Sequence, residues 1–296
     1  MDIGQPTLDQ LRIFLAVADE GSFNKAASKL GRALSVVSYG ISALEGQLGV
    51  RLFDREGSRR PELTAAGAAL LADARAVADE TDGLVARARS IRQGLETQVA
   101  LAVDVMLPSA VVASILRDFQ HVFPTVDLRL HVEALGAIAA LVRDGKADLG
   151  VAGPDILDLP ELERRGVGSV ALVPVAAPGH PLAEEREIAP GEVRQHLQLV
   201  LTDRSPLTEG REFSVLSPRS WRLADLGAKH ALLLEGIGWG NMPRHAVADD
   251  LAAGRLIELR LPDAPPLNYQ LHALWRKDRT PGPATTWMLD ALIERC

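Results

Sequence analysis

From Leu8 onward the apolar residues Leu8, Leu11, Phe14, Leu15 and Ala18 recur at spacings of three and four, which predicts a helix reaching about Glu20. Thr7-Leu8-Asp9-Gln10 has the form of a capping box, and Gly21 ends the helix. Ser22 caps a second helix, Phe23 to Leu30, whose Ala26 and Ala27 are small enough for close packing. Gly31 supplies a turn, and a third helix follows from about Leu34 to Leu48. In that helix Val37, Ile41, Leu44 and Leu48 share one stripe and should face the core. Ser35, Tyr39, Ser42 and Gly46 point the other way, flanked by Val36, Ser38 and Ala43. Two short helices, a glycine turn and a third helix with a small, polar outer face form a helix-turn-helix pattern.

Gly49 to Thr64 reads as a hairpin, with VRLF and PEL as strands and Gly57-Ser58-Arg59-Arg60 at the tip. Beside a recognition helix, a basic hairpin is a wing. Thr64 caps a long helix from Ala65 to about Arg92, where Gly67, Leu70, Ala74, Val77, Thr81, Leu84, Ala88 and Ile91 alternate spacings of three and four. That heptad seam predicts a coiled-coil dimer through Leu70, Ala74, Val77, Thr81, Leu84, Ala88 and Ile91.

After Gln93-Gly94 the pattern changes. VALAVDV, VDLRLHV and DLGVAG read as short buried strands, with helices at Ser109–Val122 and Gly136–Asp144 between them. A second set has strands near VALVPVAAP, LQLVLT and GIGWGN and helices near Leu223–Glu235 and Pro243–Ala253. The strand LNYQLHALWR and a helix from Pro283 to Glu294 complete it. This alternation predicts two α/β lobes, with a ligand cleft at the C-terminal edges of the strands. The expected fold class is therefore α/β overall, with an all-α winged helix-turn-helix over 1–64, a linker and dimerisation helix over 65–93, and a two-lobed domain over 94–296. Lobe I would take about 94–169 and 268–296, lobe II about 170–267.

Charge changes the picture locally. The chain carries −7 overall, yet between Asn24 and Thr64 seven basic residues face four acidic ones, a local balance of +3. A basic module on an acidic body suits phosphate binding. Cys296 is the sole cysteine, so no intrachain disulfide forms, which suits a reducing compartment. The start MDIGQPTLDQ lacks the features of a signal peptide and no apolar run is long enough to span a bilayer, so a cytoplasmic protein without membrane association is expected. An enzyme is the rival class. No GxSxG, HExxH, P-loop or paired-cysteine metal motif is present, and His131-Val132-Glu133 has no third ligand in the pattern. Gly236-Ile237-Gly238-Trp239-Gly240 precedes no helix where a dinucleotide loop needs one. No catalytic residue, metal or cofactor is expected.

TLDQLRIFLAVADEGSFNKAASKLG, SVVSYGISALEGQLGVRLFDR and LTAAG together resemble the N-terminal signature of LysR-type transcriptional regulators. The resemblance continues through FPTVDLRLHV, DGKADLGVAG, VPVAAPGHPL, GIGWGNMPRHAVADDLAAGRL and LHALWR, essentially the whole chain. It implies a winged helix-turn-helix joined to an effector domain like a periplasmic binding protein. It also implies a homodimer or homotetramer that binds double-stranded promoter DNA at interrupted palindromes under control of a small-molecule effector. Relatives commonly have Ser-Gln where this chain has Ala33-Leu34, and a basic or amide residue where Tyr39 and Gly40 stand, so those reading contacts do not transfer.

The expected DNA-binding residues are Lys25, Arg32, Ser35, Val36, Ser38, Tyr39, Arg51, Arg55, Arg59 and Arg60. With no amide on the outer face, specificity should lean on a Val36–thymine methyl contact and DNA shape, and affinity on phosphates. The expected effector residues are Asp104, Met106, Leu107, Pro108, Ser109, Leu135, Gly136, Gly153, Thr202, Asp203, Arg204, Leu226, Gly227 and Met242, with Pro154 and Asn241 beside them. Asp104 and Asp203 would disfavour a dicarboxylate unless Arg204 compensates, and so favour an amphipathic ligand with a donor group. A regulator that needs no ligand is the alternative within this reading.

Overall fold

The computed structural model describes residues 4–54, 61–154, 159–184, 187–203, 205–208, 210–211, 213–262 and 267–296. The chain divides into two compact units, one running through Arg89 and the other beginning at Ser90.

The first unit opens with α1 (Leu8–Glu20), α2 (Phe23–Leu30) and α3 (Leu34–Leu48). The capping box at Thr7 forms: Gln10 N donates to Thr7 Oγ1 and Gln10 Oε1 accepts from Thr7 N at 2.8 Å. The stripes read from the sequence meet in one core of Ile13, Phe14, Val17, Ala26, Ala27, Val37, Ile41 and Leu44. Gly40 belongs to this core as well. A Cβ there would lie 2.7 Å from Ile13 Cδ1, so its lack of a side chain sets the approach of α3 to α1. The hairpin is shorter than expected, with β1 (Phe53–Asp54) and β2 (Glu62–Leu63) antiparallel and Phe53 opposite Leu63. Glu45 Oε1 accepts from Leu52 N at 2.8 Å and Phe53 N at 3.2 Å, tying the wing's first strand to α3.

The long helix α4 (Ala65–Arg92) begins at Thr64, whose Oγ1 accepts from Gly67 N at 2.9 Å. Its first half is not a free connector. Ala74 and Ala78 are buried in the helix-turn-helix core with Leu70 packed against it, and Arg75 pairs with Asp19 at 2.6 Å. Further along, Val77, Leu84 and Ile91 are 50%, 61% and 55% exposed. The predicted seam therefore splits: Leu70 and Ala74 are engaged within the unit, while Val77, Leu84, Ala88 and Ile91 lie open and Thr81 is half-buried.

The second unit is built from β3 (Gln98–Asp104), α5 (Ser109–Val122), β4 (Asp127–Glu133), α6 (Gly136–Arg143), β5 (Leu149–Ala152) and β6 (Leu162–Ala176). Then come α7 (Pro181–Glu184), β7 (Gln198–Leu201), β8 (Ser220–Leu223), α8 (Leu226–Leu234), β9 (Trp239–Pro243), α9 (Ala248–Ala252), β10 (Ile257–Glu258), β11 (Leu267–Arg276) and α10 (Pro283–Arg295). The sheet order is β4-β3-β5-β11-β6-β9-β7-β8, with β10 on β6. The strands β3, β4 and β5 are parallel, as are β7, β8 and β9, while β6 and β11 run antiparallel through the middle. These two long strands pair from Leu162–Arg276 to Leu172–Leu267, with a bulge between Leu271 and His272 where they pass from one lobe to the other.

Two expectations are corrected here. Leu223–Glu235 is not one helix, because Ser220–Leu223 is an edge strand and Asp225 caps α8 by accepting from Ala228 N at 2.6 Å. Pro243–Ala253 is a 3₁₀ turn followed by the short α9, since Pro243 ends β9.

Candidate DNA-reading face and effector cavity

In the first unit, burial of one side of α3 leaves the other side outside. Val37, Ile41 and Leu44 are fully buried, while Tyr39 is 76% and Val36 45% exposed, with Ser35 and Ser42 exposed beside them and Ser38 half-buried. The N-cap Ala33 has no side chain to bond the first-turn amides, which leaves a helix N-terminus open to an anion. Lys25 and Arg51 are exposed.

Arg32 departs from expectation. Its guanidinium makes two hydrogen bonds to Asp9, at 2.6 and 2.7 Å, and this pair holds the Asp9 carboxyl below its ordinary range. Arg32 is thus engaged at the α1 terminus rather than held out for DNA, although an exposed pair of this kind is weak. Lys29 is paired with Glu20 at 2.8 Å. The wing residues Arg55, Arg59 and Arg60 lie outside the described residues.

In the second unit a cavity of about 290 Å³ opens between the lobes. Met106, Leu135 and Pro154 reach it from the C-terminal ends of β3, β4 and β5. The opposite wall is β7 (Gln198, Leu199, Val200, Leu201) with Phe213, Ser214, Lys229 of α8 and Asn241 of β9. Leu172 and the Leu267–Tyr269 stretch of the crossing strands close one side. Among the described residues, the non-glycine positions with positive φ are Leu135, at 49°, and Ser214, at 54°, and both line this cavity. Backbone held in such sparsely populated regions concentrates at ligand sites.

Several expected effector residues serve the walls instead. Asp104 is buried and accepts from Tyr269 Oη at 2.9 Å and Met106 N at 2.9 Å, so its carboxylate supports the cavity without facing it. Desolvation, only partly offset by those hydrogen bonds, raises its pKa to about 6. Gly153 permits this arrangement: a Cβ there would fall 1.9 Å from Tyr269 Oη. Asp203 turns away to accept from Thr208 Oγ1, and its Oδ2 lies against Gly136 at the start of α6, where a Cβ would be 3.0 Å away.

Leu107 and Pro108 line a separate hollow with Val111 and Arg244, and Ser109 is exposed at the start of α5. Met242 is buried in the lobe II core, because alternate residues of β9 face opposite sides. Leu226 packs on the cores, Gly227 lies beside the Asp225 cap, and Thr202 hydrogen-bonds the Leu223 carbonyl through its amide. Arg204 lies outside the described residues. Of the expected set, Met106 and Leu135 line the cavity, as do the neighbouring Pro154 and Asn241.

The residues that pattern reading missed are Leu172, Gln198 to Leu201, Phe213, Ser214, Lys229 and Leu267 to Tyr269. Gln198 donates to the Ser214 carbonyl and accepts from Leu216 N and Ser217 N, so it shapes the strained Ser214 turn. Lys229 is 3% exposed and donates from Nζ to the Asn241 carbonyl at 2.6 Å. Burial lowers its pKa to about 8. No group of three or more His, Cys, Asp or Glu among the described residues could hold a metal ion.

An outward-facing helix-turn-helix followed by a two-lobed α/β unit enclosing a cavity defines a DNA-binding regulator with a ligand-binding domain. Residues 8–68 match the family model described as bacterial regulatory helix-turn-helix protein, lysR family, and residues 92–296 match the LysR substrate binding domain. The chain belongs to the LysR family of transcriptional regulators. It is 30% identical to the probable HTH-type transcriptional regulator YhaJ of Escherichia coli K12 over 295 residues, covering 96% of this chain and 94% of that protein. Its fold is similar to an OxyR C206 mutant of Corynebacterium glutamicum, with a TM-score of 0.53 at 21% identity, covering 98% of this chain and 92% of that one. It is also similar to CrgA of Neisseria meningitidis, with a TM-score of 0.52 at 22% identity, covering 97% of each chain. The chain is thus a DNA-binding transcriptional regulator carrying a substrate-binding domain, and not an enzyme. No helix among the described residues is long and apolar enough to cross a membrane.

Proposed function

We propose that this regulator reads promoter DNA through the outer face of α3 while a small molecule in the interlobe cavity sets its activity. Ser35, Val36, Ser38 and Tyr39 enter the major groove, Val36 packing on a thymine methyl and Tyr39 reaching a phosphate. Lys25, Arg51 and the wing residues Arg55, Arg59 and Arg60 meet the backbone, and Arg32 joins them only by sharing its charge with Asp9. The exposed Val77, Leu84, Ala88 and Ile91 of α4 pair with a second copy, so that two reading heads meet an interrupted palindrome in the cytoplasm.

The effector reading rests on one observation above the rest: the strained Leu135 and Ser214 line the same cavity, whose walls also carry Met106 and Asn241. A built, strained pocket favours ligand control over the ligand-independent alternative.

The test is selection of bound fragments from a random DNA pool by the full-length protein. Two half-sites related by inversion are expected. Leu84→Asp, which places a charge in the open seam, should lower affinity for the paired site at least tenfold while a single half-site binds unchanged. Recovery of unpaired sites by a monomeric wild type in sedimentation would overturn the dimer reading.

A further inference from the structure

Lys229 carries a charge that no carboxylate among the described residues answers. It sits in the first turns of α8 and is 3% exposed, in the wall of a cavity that is otherwise mainly Leu, Val, Phe, Met and Pro. An ammonium has three N–H donors, and among the described residues one is used, on the Asn241 carbonyl at 2.6 Å. No carboxylate among the described residues lies within ion-pair distance of it. Asp225, four residues earlier, is the nearest acidic residue along the helix and spends Oδ1 on the Ala228 amide that it caps. Asp104 is committed to Tyr269 and Met106, and Asp203 to Thr208. Desolvation is the sole cause of its lowered pKa, which at about 8 still leaves it mostly charged at neutral pH. A buried cation without a partner is costly, and the cost is relieved by an anion brought into the same apolar space.

We propose that the ligand of this cavity is an organic monoanion with an apolar body, whose charged end is neutralised by Lys229. The inference rests on the reading of the interlobe cavity as the effector site. It replaces the expectation drawn from Asp104 and Asp203: neither carboxylate lines the cavity, and among the described residues the charged side chain in its wall is Lys229. About 290 Å³ holds a single ring or a short chain, with its hydrocarbon against Leu135, Leu199, Leu201 and Phe213. One cation answers one negative charge, and a second anionic group would enter apolar surroundings unpaired, so dianions are rejected.

The test uses thermal unfolding of the full chain, followed by tryptophan emission, with cyclohexanecarboxylate, phenylacetate and hexanoate against their neutral amides. The carboxylates are expected to raise the midpoint in a saturable way and the amides to give at most a tenth of the effect at equal concentration. Lys229→Met should lose the carboxylate response. It should also melt at or above the wild-type midpoint without ligand, because it removes an unpaired buried charge. A lysine kept only to brace Asn241 would instead lower that midpoint. Leu199→Trp, which fills the cavity, separates this inference from the reading beneath it. Amides that stabilise the wild type but not Leu199→Trp would overturn the anion proposal and leave the effector site standing. A carboxylate response that survives in Leu199→Trp would overturn the site, and one that survives only in Lys229→Met would overturn the role of the lysine. A wild type stabilised by none of the carboxylates would overturn the proposal outright.

Discussion

The two units expose and bury their chemistry in opposite ways. On α3 the groups proposed to act are outside, and only their backs are fixed: Val37, Ile41 and Leu44 are fully buried, while Val36 and Tyr39 are exposed. In the second unit Lys229, the charge proposed to act in the cavity, is nearly as buried as the core, and the Asp104 carboxylate is locked to Tyr269. A reader of a long polymer needs a face, and its affinity is built from many weak contacts. A receptor for a small molecule needs a dry interior, where one charge counts for much more. The same contrast dictates how each unit should respond to substitution.

The largest effect should fall on the first core. Phe14 is fully buried and meets Phe53 edge-on at 5.6 Å between ring centroids. Phe14→Ala should cost about 3–5 kcal/mol through lost burial and a residual cavity. Because Trp221, Trp239, Trp275 and Trp287 all lie in the second unit, their emission reports that unit alone. In urea the helical circular dichroism of Phe14→Ala should fall early while the tryptophan transition keeps its wild-type midpoint. A tryptophan transition that moved with it would show that the two cores do not unfold separately.

Next comes the buried carboxylate. Asp104 is raised from the ordinary 3.8 to about 6, so the folded chain holds this proton more tightly than the unfolded chain does. Its contribution to stability is complete below the unfolded value and is lost as pH rises through about 6, a change of about 3 kcal/mol. Asp104→Asn has no such titration. Between roughly pH 4.5 and 7 the stability of the wild type should therefore fall relative to that of the variant, as read from urea midpoints by tryptophan emission. Parallel pH profiles would show that Asp104 is not desolvated as described.

How much of this was legible in the sequence follows the same division. The faces of α3 could be read because helical period alone sorts Val37, Ile41 and Leu44 from Ser35, Val36 and Tyr39. Gly40 escaped that sorting, since a residue without a side chain carries no hydropathy and its role is the space it leaves for Ile13. Arg32 escaped because its partner Asp9 is 23 residues away and a count of charges does not pair them. The strand ends flanking the cleft were placed by alternation, which brought in Met106 and Leu135. The opposite wall was not: Lys229 in LGAKHALLL looks like a surface charge until β7 and β9 cover it. Asp104 meets Tyr269 across 165 residues of sequence, a contact that no local pattern contains. A lysine standing alone in an apolar helix was the available hint.

The smallest effects should distinguish position from specificity on the DNA face. Arg51 is exposed beside the hairpin, and in the proposed reading it meets a phosphate. Arg51→Ala should weaken binding to all sequences alike and reduce the slope of log affinity against log salt by about 0.9. Val36→Ala should do the reverse. It removes apolar surface worth about 1 kcal/mol from a contact with a thymine methyl, so affinity for the best site falls only a fewfold. Its salt slope should not change, because no charge is lost. What should change is the preference at one base pair of each half-site, where thymine would lose its advantage over cytosine. Parallel site selections with the wild type, Arg51→Ala and Val36→Ala read both quantities at once. A Val36→Ala profile identical to wild type at unchanged affinity would remove the methyl contact from the mechanism. Specificity would then rest on Tyr39, the α3 serines and the shape of the DNA, a face that positions the protein more than it reads bases.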